Sequence, residues 1–239
     1  MDRERKTEAQ VRRAVGLADA CELLSCAFAY PDERLAVGLC DGALADDAEA
    51  CLIDAGVAAD EARRVAEGLR AWRGADVAQV LPGMRVAYSR MYLAPGGHTP
   101  VFPYESAFLH VEKGAPGIPV LFRTPVTLDV EAQMREAGVV AKDARKEPCD
   151  SVFEEFEFLS YLHARRADAL VRDAADEAAT WADRAVRFAR KHALAWIPSF
   201  MRRTREQEAA VGGPYAALAA LGEAALGALA DTEAAGVIA

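Results

Sequence analysis

The chain has 239 residues, of which 52% are hydrophobic and 27% charged, and its net charge is −9. This length suits one large domain or two closely packed subdomains, and the composition is that of a globular rather than a disordered protein. The acidic balance excludes nucleic acid and anionic membranes as favoured partners. A basic peptide is the kind of partner that such a surface attracts.

Cysteine usage and the N-terminal residues bear on the compartment. The five cysteines are odd in number and lack close, metal-type spacing, so a disulfide framework is not expected. The first six residues are of mixed charge and no apolar segment follows them, which argues against a secretory signal. No apolar run reaches the length of a membrane span. These features predict a cytoplasmic protein.

Apolar residues recur at helical spacing through the first part of the chain. Pro31 is expected to end the first helix, because the residue before a proline is pushed out of the helical region. Helices are predicted over about 7–30, 33–40, 47–55 and 60–72, and a further one begins at Asp76 or Pro82 and ends at Tyr92.

Residues 95–125 interrupt this pattern. Six of the eleven prolines fall inside this window. Long helices cannot continue through so many prolines, apart from a short helix near 105–111. We therefore expect a Pro/Gly-rich hinge here, between an N-terminal helical subdomain (1–94) and a C-terminal one (126–239).

Helical patterning resumes after the window. Thr124 followed by Pro125 predicts one helix start, and Ser151 with Glu154 has capping-box spacing that predicts another. Further helices are predicted over about 176–192, 198–210 and 214–230. Because no segment alternates with the period of a strand, the predicted fold is all-α, a helical bundle-like domain of two packed subdomains.

Groups that carry catalytic or cofactor chemistry are scarce. The chain has no glycine-rich phosphate loop, and its four histidines show no helical i, i+4 pairing, so neither a cofactor nor a stoichiometric metal is expected. Cys149 stands beside Asp150, and a neighbouring carboxylate raises the pKa of a thiol, which makes Cys149 a slow nucleophile.

Three motifs occur in a fixed order. Residues 88–95 read Tyr-Ser-Arg-Met-Tyr-Leu-Ala-Pro and are followed by Pro-Tyr-Glu-Ser at 103–106; residues 147–159 read Glu-Pro-Cys-Asp-Ser-Val-Phe-Glu-Glu-Phe-Glu-Phe-Leu; residues 192–200 read His-Ala-Leu-Ala-Trp-Ile-Pro-Ser-Phe. Together with weaker matches from Cys21 to Leu221, they resemble the TorD/DmsD-type chaperones. Those are helical cytoplasmic proteins that mature molybdenum-cofactor oxidoreductases.

The resemblance implies a peptide-binding site, with two departures from the family pattern. Cys149 replaces the first aspartate of the family's Glu-Pro-Asp-Asp-His element and Ser151 replaces its histidine, so that only Asp150 of the usual Asp-His pair remains. The implied peptide-binding residues are Tyr88, Tyr92, Glu105, Pro148, Asp150 and Glu155. Simple helix capping by Asp150 and Ser151, and a first-turn position for Glu105, are the alternatives that the residues themselves leave open.

The implied function is recognition of the twin-arginine leader of a molybdoenzyme catalytic subunit, such as a DMSO or TMAO reductase-like subunit, before export. The chaperone itself would have no turnover, and it would be a monomer or a domain-swapped dimer. Charge-assisted bonds to the two arginines and an apolar trough for the rest of the leader fit an acidic, aromatic-lined groove.

The sequence leaves three alternatives open. A NarJ-like assembly factor would bind the N-terminus of a nitrate reductase subunit that is not exported. A small helical hydrolase would use Glu105, Asp150 and a histidine. A helical adaptor would bind no leader at all.

Overall fold

The structure, a computed structural model, describes residues 2–94, 99–140 and 147–236. Over these ranges it consists of eleven α-helices and one isolated β-bridge, which confirms the all-α prediction. The helices are α1 (Asp2–Phe28), α2 (Glu33–Asp41), α3 (Ala43–Ala55), α4 (Ala59–Arg70), α5 (Val77–Tyr92), α6 (Glu105–Glu112), α7 (Pro125–Glu136), α8 (Val152–Val171), α9 (Ala175–Lys191), α10 (Ala193–Val211) and α11 (Tyr215–Gly236).

Several predicted helix starts are confirmed by their capping atoms. The Thr124 hydroxyl accepts a hydrogen bond from the Thr127 N–H at 3.0 Å, with Pro125 in the first turn of α7. The Ser151 hydroxyl accepts the N–H of Glu154 at 3.4 Å at the start of α8. Asp76, rather than Pro82, begins α5, since its carboxylate accepts the Ala78 N–H at 3.0 Å.

Two helix starts differ from the prediction. α3 begins at Ala43 instead of near residue 47, because Gly42, with φ of 92°, turns the chain directly from the end of α2 into α3. α10 begins at Ala193, so that Pro198 lies inside the helix and not at its start. An interior proline costs about 3 kcal/mol, and the complete burial of Trp196 and its neighbours offsets that cost.

The centre of the molecule is α1, which packs most extensively against α8 and also against α3 and α11. Its residues Leu17, Leu24 and Phe28 are fully buried. At Gly16 the backbones of α1 and α3 approach so closely that a Cβ atom would lie 2.3 Å from the Ala55 nitrogen. Only glycine permits this crossing.

The helices before and after the proline-rich window share a single hydrophobic core. α6 occupies part of the window, and residues 113–124 contain no helix. In that stretch Ile118 and Val120 are 73% and 66% exposed. The division into residues 1–94, hinge and 126–239 stays a prediction about how the chain folds and opens.

No helix within the described ranges is both long enough and apolar enough to cross a membrane. All five cysteines are free, and four of them are buried.

The α1–α3 crossing generates a stability prediction. Gly16→Ala should lower the free energy of unfolding by about 1–3 kcal/mol or more, because its methyl group meets backbone atoms that cannot give way by a side-chain rotation. Urea unfolding followed by circular dichroism measures the change.

The matched control is Gly227→Ala on the exposed side of α11, where a Cβ meets no atom within 4 Å. That change should raise stability by about 0.5–1 kcal/mol, since alanine is the better helix former. Equal effects at the two glycines would contradict a close α1–α3 crossing.

The exposed segment 113–124 should be the first site of limited proteolysis, because no helix holds its backbone. Trypsin is expected to cut first at Lys113 or Arg123, both exposed. Arg63 and Arg64 in α4, which are exposed but helical, serve as internal controls. Mass spectrometry of the fragments identifies the first cleavage site. If trypsin cuts first in α4 while segment 113–124 stays intact, the result would argue against a hinge.

Candidate functional site: a carboxylate cluster where two helices begin

The starts of α6 and α8 lie side by side. Tyr104 and Ser151 form an antiparallel bridge. The Glu105 N–H donates to the Asp150 carbonyl at 2.8 Å, and the Val152 N–H donates to the Pro103 carbonyl at 2.9 Å. Two helices that are far apart in the chain therefore place their first turns, with the partial positive charge of each, at one point.

Asp150 joins the two helices. Its side chain is fully buried, and Oδ2 accepts the Ser106 N–H of α6 at 3.0 Å, whereas Ser151 caps α8. Burial raises the pKa of Asp150 and the charge of Glu105 adds to the effect, although the hydrogen bonds from Ser106 oppose it. The other oxygen, Oδ1, is buried and accepts no hydrogen bond from the described residues. Capping of α6 accounts for Oδ2, and the Ser106 hydroxyl, which also lacks a partner of ordinary geometry, is a donor within reach of the same carboxyl group.

Glu105, the first residue of α6, is buried and bonded to His192, which lies between α9 and α10. Its Oε2 is 2.7 Å from His192 Nδ1, and His192 Nε2 is 2.8 Å from Asp129 Oδ2. Lys191 Nζ donates to the other oxygen of Asp129 at 2.7 Å. The ring can donate to both carboxylates only when it is protonated.

The pKa shifts agree with a protonated His192. Burial lowers the pKa of His192, but the hydrogen bonds and charges of Glu105 and Asp129 outweigh burial and raise it above its ordinary value. Burial alone would raise the pKa of Asp129. Hydrogen bonds from Lys191, Gln133 and His192 outweigh the effect of burial, so the pKa of Asp129 is lowered to about 2. Positive and negative groups therefore alternate from Lys191 to Glu105.

Glu155 ends this chain of polar groups. It is fully buried in the first turn of α8, and its Oε2 accepts the Trp196 indole N–H at 3.0 Å. Burial and the charge of Glu105 raise the pKa of Glu155 well above its ordinary value, which favours the neutral carboxyl. Its Oε1 is a second buried oxygen without a hydrogen-bond partner among the described residues.

Glu105, Glu155 and His192 offer ligand atoms that all lie within 4.8 Å of one another, a spacing that a metal ion requires. Both nitrogens of His192 are already bonded to carboxylates, so a metal would have to replace one of these bonds. The expectation that the protein holds no metal stays a prediction.

The two predicted tyrosines belong to an aromatic cluster beside the carboxylates. Tyr88 donates to the Phe28 carbonyl at 3.2 Å, and Tyr92 is 3.0 Å from the Thr204 hydroxyl. Both are buried, and the edge of the cluster that reaches solvent is Tyr30, which is 53% exposed and packs edge-on against Tyr88.

One aromatic side chain connects the two clusters. The ring of Phe200 lies 5.5 Å from the rings of both Tyr92 and Trp196. Trp196 in turn bonds Glu155. The tyrosines and the carboxylates therefore sit on one continuous packed unit.

Of the six residues that the sequence singled out, the structure brings together the carboxylates of Glu105, Asp150 and Glu155, places Tyr88 and Tyr92 in the adjoining aromatic cluster, and buries Pro148 in the turn before α8. None of the three carboxylates faces open solvent. Their role in peptide binding remains a proposal.

The sequence patterns did not identify His192, Asp129 or Trp196 as members of the site. A signal was present, because His192 and Trp196 are four residues apart and a buried imidazole or indole needs a polar partner. Nothing in the sequence identified Asp129, whose contact depends on how α7 packs. For Cys149 the prediction is confirmed: burial and the charge of Asp150 raise its pKa to about 12.

His192 generates a pH prediction. A group whose pKa is raised by folding stabilises the folded state fully below its unfolded pKa of about 6.5 and loses that contribution as pH rises through the folded value. Wild type should exceed His192→Gln in free energy of unfolding by about 1–3 kcal/mol at pH 6, and the difference should shrink above neutrality. Asp129→Asn removes one of the two carboxylates that raise the pKa of His192, so the loss of stability with rising pH should occur at lower pH.

Chemical unfolding at pH values from 6 to 9 measures the stability difference between wild type and His192→Gln. A difference that does not change over this range would contradict a protonated ring.

Comparison with known proteins agrees with the fold and the motifs. The model of the family described as nitrate reductase delta subunit matches residues 57–202, more than half of the chain. The match includes the residues of the carboxylate cluster, which are Glu105, Asp129, Asp150, Glu155 and His192. No curated protein matches the chain. The chain therefore belongs to the nitrate reductase delta subunit family, the NarJ- and TorD-type chaperones that assemble molybdoenzymes.

Proposed function

We propose that this chaperone binds the twin-arginine leader of a molybdoenzyme catalytic subunit, of the DMSO or TMAO reductase type, and holds it in the cytoplasm until the enzyme is mature. The family match supports a role in the assembly of a molybdoenzyme. It also fits a chaperone better than an enzyme. Our proposal adds that the ligand is the leader, that its two arginines are recognised, and that the client is of the DMSO or TMAO reductase type.

The observation that carries the proposal is the pair of unused oxygens in the carboxylate cluster. Asp150 Oδ1 and Glu155 Oε1 are buried, and neither makes a hydrogen bond of ordinary geometry within the described ranges, although the Ser106 hydroxyl lies close enough to Asp150 and the Glu105 carboxyl close enough to Glu155 to shift their pKa values. Buried polar atoms are almost always hydrogen-bonded, so such atoms mark a place where a donor belongs. A guanidinium supplies five N–H donors and a positive charge, which suits a cluster of three carboxyl groups.

The leader would enter from the loop before α8. Glu147 and Tyr104 are half-buried at the outer side of Asp150, and burial raises the pKa of Glu147. An arginine first meets Glu147 and then reaches Asp150 when the starts of α6 and α8 separate. The segment 113–124, which follows α6, contains no helix and is largely exposed.

The apolar part of the leader has a separate place to bind on the same helix as the tyrosines. A cavity of about 590 Å³ lies between the N-terminal half of α5 and the turn at residues 212–214, and Trp72, Val80 and Met84 are among its lining residues. Cavities of this size and lining accept apolar ligands. Met84 precedes Tyr88 by one turn of α5, so the cavity and the aromatic cluster are neighbours.

A NarJ-like role is the second candidate, because the matching family model carries the description nitrate reductase delta subunit. In that case the ligand is the N-terminus of a nitrate reductase subunit without adjacent arginines. A hydrolase receives no support from the family.

Titration calorimetry with a twin-arginine leader peptide tests the proposal. Replacing both arginines of the peptide by glutamine should weaken binding by roughly 1–3 kcal/mol for each lost pair. Asp150→Asn should cause a similar loss while it keeps an oxygen for the Ser106 N–H. Added salt should weaken the complex only in part, since ions do not screen the apolar contacts.

Asp32→Asn is the matched control, because Asp32 also caps a helix through its carboxylate, at the start of α2, but lies outside the carboxylate cluster and is not among the residues that line the cavity. It should leave recognition of the arginines unchanged. If the arginines and Asp150 can both be replaced without loss, the electrostatic account is wrong. If a peptide that lacks adjacent arginines binds as tightly as the leader, the NarJ-like role is favoured.

A further inference from the structure

Exposed apolar side chains concentrate in one part of the chain. Five of the twelve large hydrophobic side chains that are exposed in the described structure lie between residues 111 and 128. Single exposed apolar side chains are normal on a protein surface, whereas a run of them marks a place where a partner binds. The five are Val111 in the last turn of α6, Ile118, Val120 and Phe122 in the segment that follows, and Leu128 in the first turn of α7.

Residues 118–122 alternate between exposed and covered positions. Ile118, Val120 and Phe122 are exposed, whereas Pro119 is buried and Leu121 is half-buried. This alternation is the pattern of an extended strand that has one face on the protein and the other in solvent. No second strand lies beside it, because the backbone groups of residues 118–122 form no hydrogen bond within the described ranges.

The backbone of this segment can pair with a second strand despite its proline. In an antiparallel pair, alternate residues direct both their N–H and their C=O toward the neighbouring strand. Ile118, Val120 and Phe122 form one such set, and Pro119, which has no N–H, belongs to the other. The edge that carries Val120 therefore offers a complete row of donors and acceptors, which is the kind of edge that a second strand joins.

We propose that residues 118–122 of two copies of this chain pair as antiparallel strands and join the copies into a two-fold symmetric dimer. Val120 then lies opposite the partner's Val120, and Ile118 lies opposite the partner's Phe122. Pairs of β-branched side chains, and of β-branched with aromatic ones, are favourable across strands. The segment is thus complementary to itself, as a two-fold interface requires.

The charges beside the segment favour a second copy over the leader and set the direction of pairing. Lys113 and Arg123 are the only charged residues between positions 113 and 124, and both are exposed. They repel the arginines of a leader. In the antiparallel register Arg123 lies opposite the partner's Gly117, so no like charges oppose each other. An in-register parallel pairing would place Arg123 opposite the partner's Arg123, which is unfavourable.

The exposed area indicates how strong this contact is. The five exposed side chains present about 500 Å² per copy, so a symmetric pair buries roughly 1,000 Å², which is at the lower end for specific association. The dimer is therefore weak and in reversible equilibrium with the monomer. It requires no exchange of helices between the copies, and it uses none of the residues proposed to bind the leader.

Sedimentation velocity of the full chain, from about 1 to about 500 μM, tests the proposal. The mass should rise from that of one chain toward that of two, and it should fall again on dilution. Val120→Lys should weaken association at least tenfold, because two like charges then lie directly opposite each other. Val171→Lys is the matched control, since Val171 at the end of α8 is 70% exposed and lies outside the segment. It should associate like wild type.

A mixture of two variants tests the two-fold register itself. Val120→Lys and Val120→Glu should each fail to associate alone, and circular dichroism should show both to be as helical as wild type, because the side chain is largely exposed. Their equimolar mixture should form a heterodimer, since lysine then faces glutamate across the axis. Only a contact of residue 120 with its own counterpart predicts this recovery.

Three outcomes would overturn the proposal. The first is a protein that stays monomeric over the whole concentration range. The second is a dimer that persists in Val120→Lys, which is the result expected of a dimer formed by exchange of helices. The third is a mixture of the two Val120 variants that does not associate. Equal weakening by Val120→Lys and Val171→Lys would show an effect of net charge alone and would overturn it as well.

Discussion

The short antiparallel contact between residues 103–105 and 150–152 determines where the polar chemistry of this protein lies. It makes two helices begin at the same point, so that the partial positive charges of their first turns add. Three carboxyl groups gather there and are buried. Carboxylates are costly to bury, and here helix starts, an imidazolium and an indole N–H offset the cost.

His192 depends on the junction between α9 and α10. A single residue separates these helices, and its backbone, with φ of −116° and ψ of −87°, belongs to neither. Helices α9 and α10 on either side of His192 hold its imidazole ring in place, so that the ring lies between Glu105 and Asp129 and bonds both. From α10 the contacts continue through Trp196 and Phe200 to the tyrosines of α5. A continuous path of packed side chains therefore joins the carboxylates to Tyr30 at the surface.

The two buried histidines of the core, His163 and His192, differ in the charges that surround them. Around His192 each positive group has a negative neighbour, and the imidazole pKa rises. Around His163 the neighbours are arginines, and the imidazole pKa falls. The same side chain at two points of one core thus favours the charged form in one place and the neutral form in the other. The difference comes from the charged groups around each histidine, which are carboxylates at His192 and arginines at His163.

The sequence by itself determined the all-α class, most helix positions, the caps at Thr124 and Ser151, and the family motifs, because these depend on residues close together in the chain. It also selected the three carboxylates that the structure brings together. Tertiary structure decided the rest. Burial inside α10 made Pro198 tolerable within a helix, and the approach of α7 brought Asp129 to His192. Whether Asp150 caps its own helix or the neighbouring one depends on which helix start lies beside it, and no local pattern contains that information.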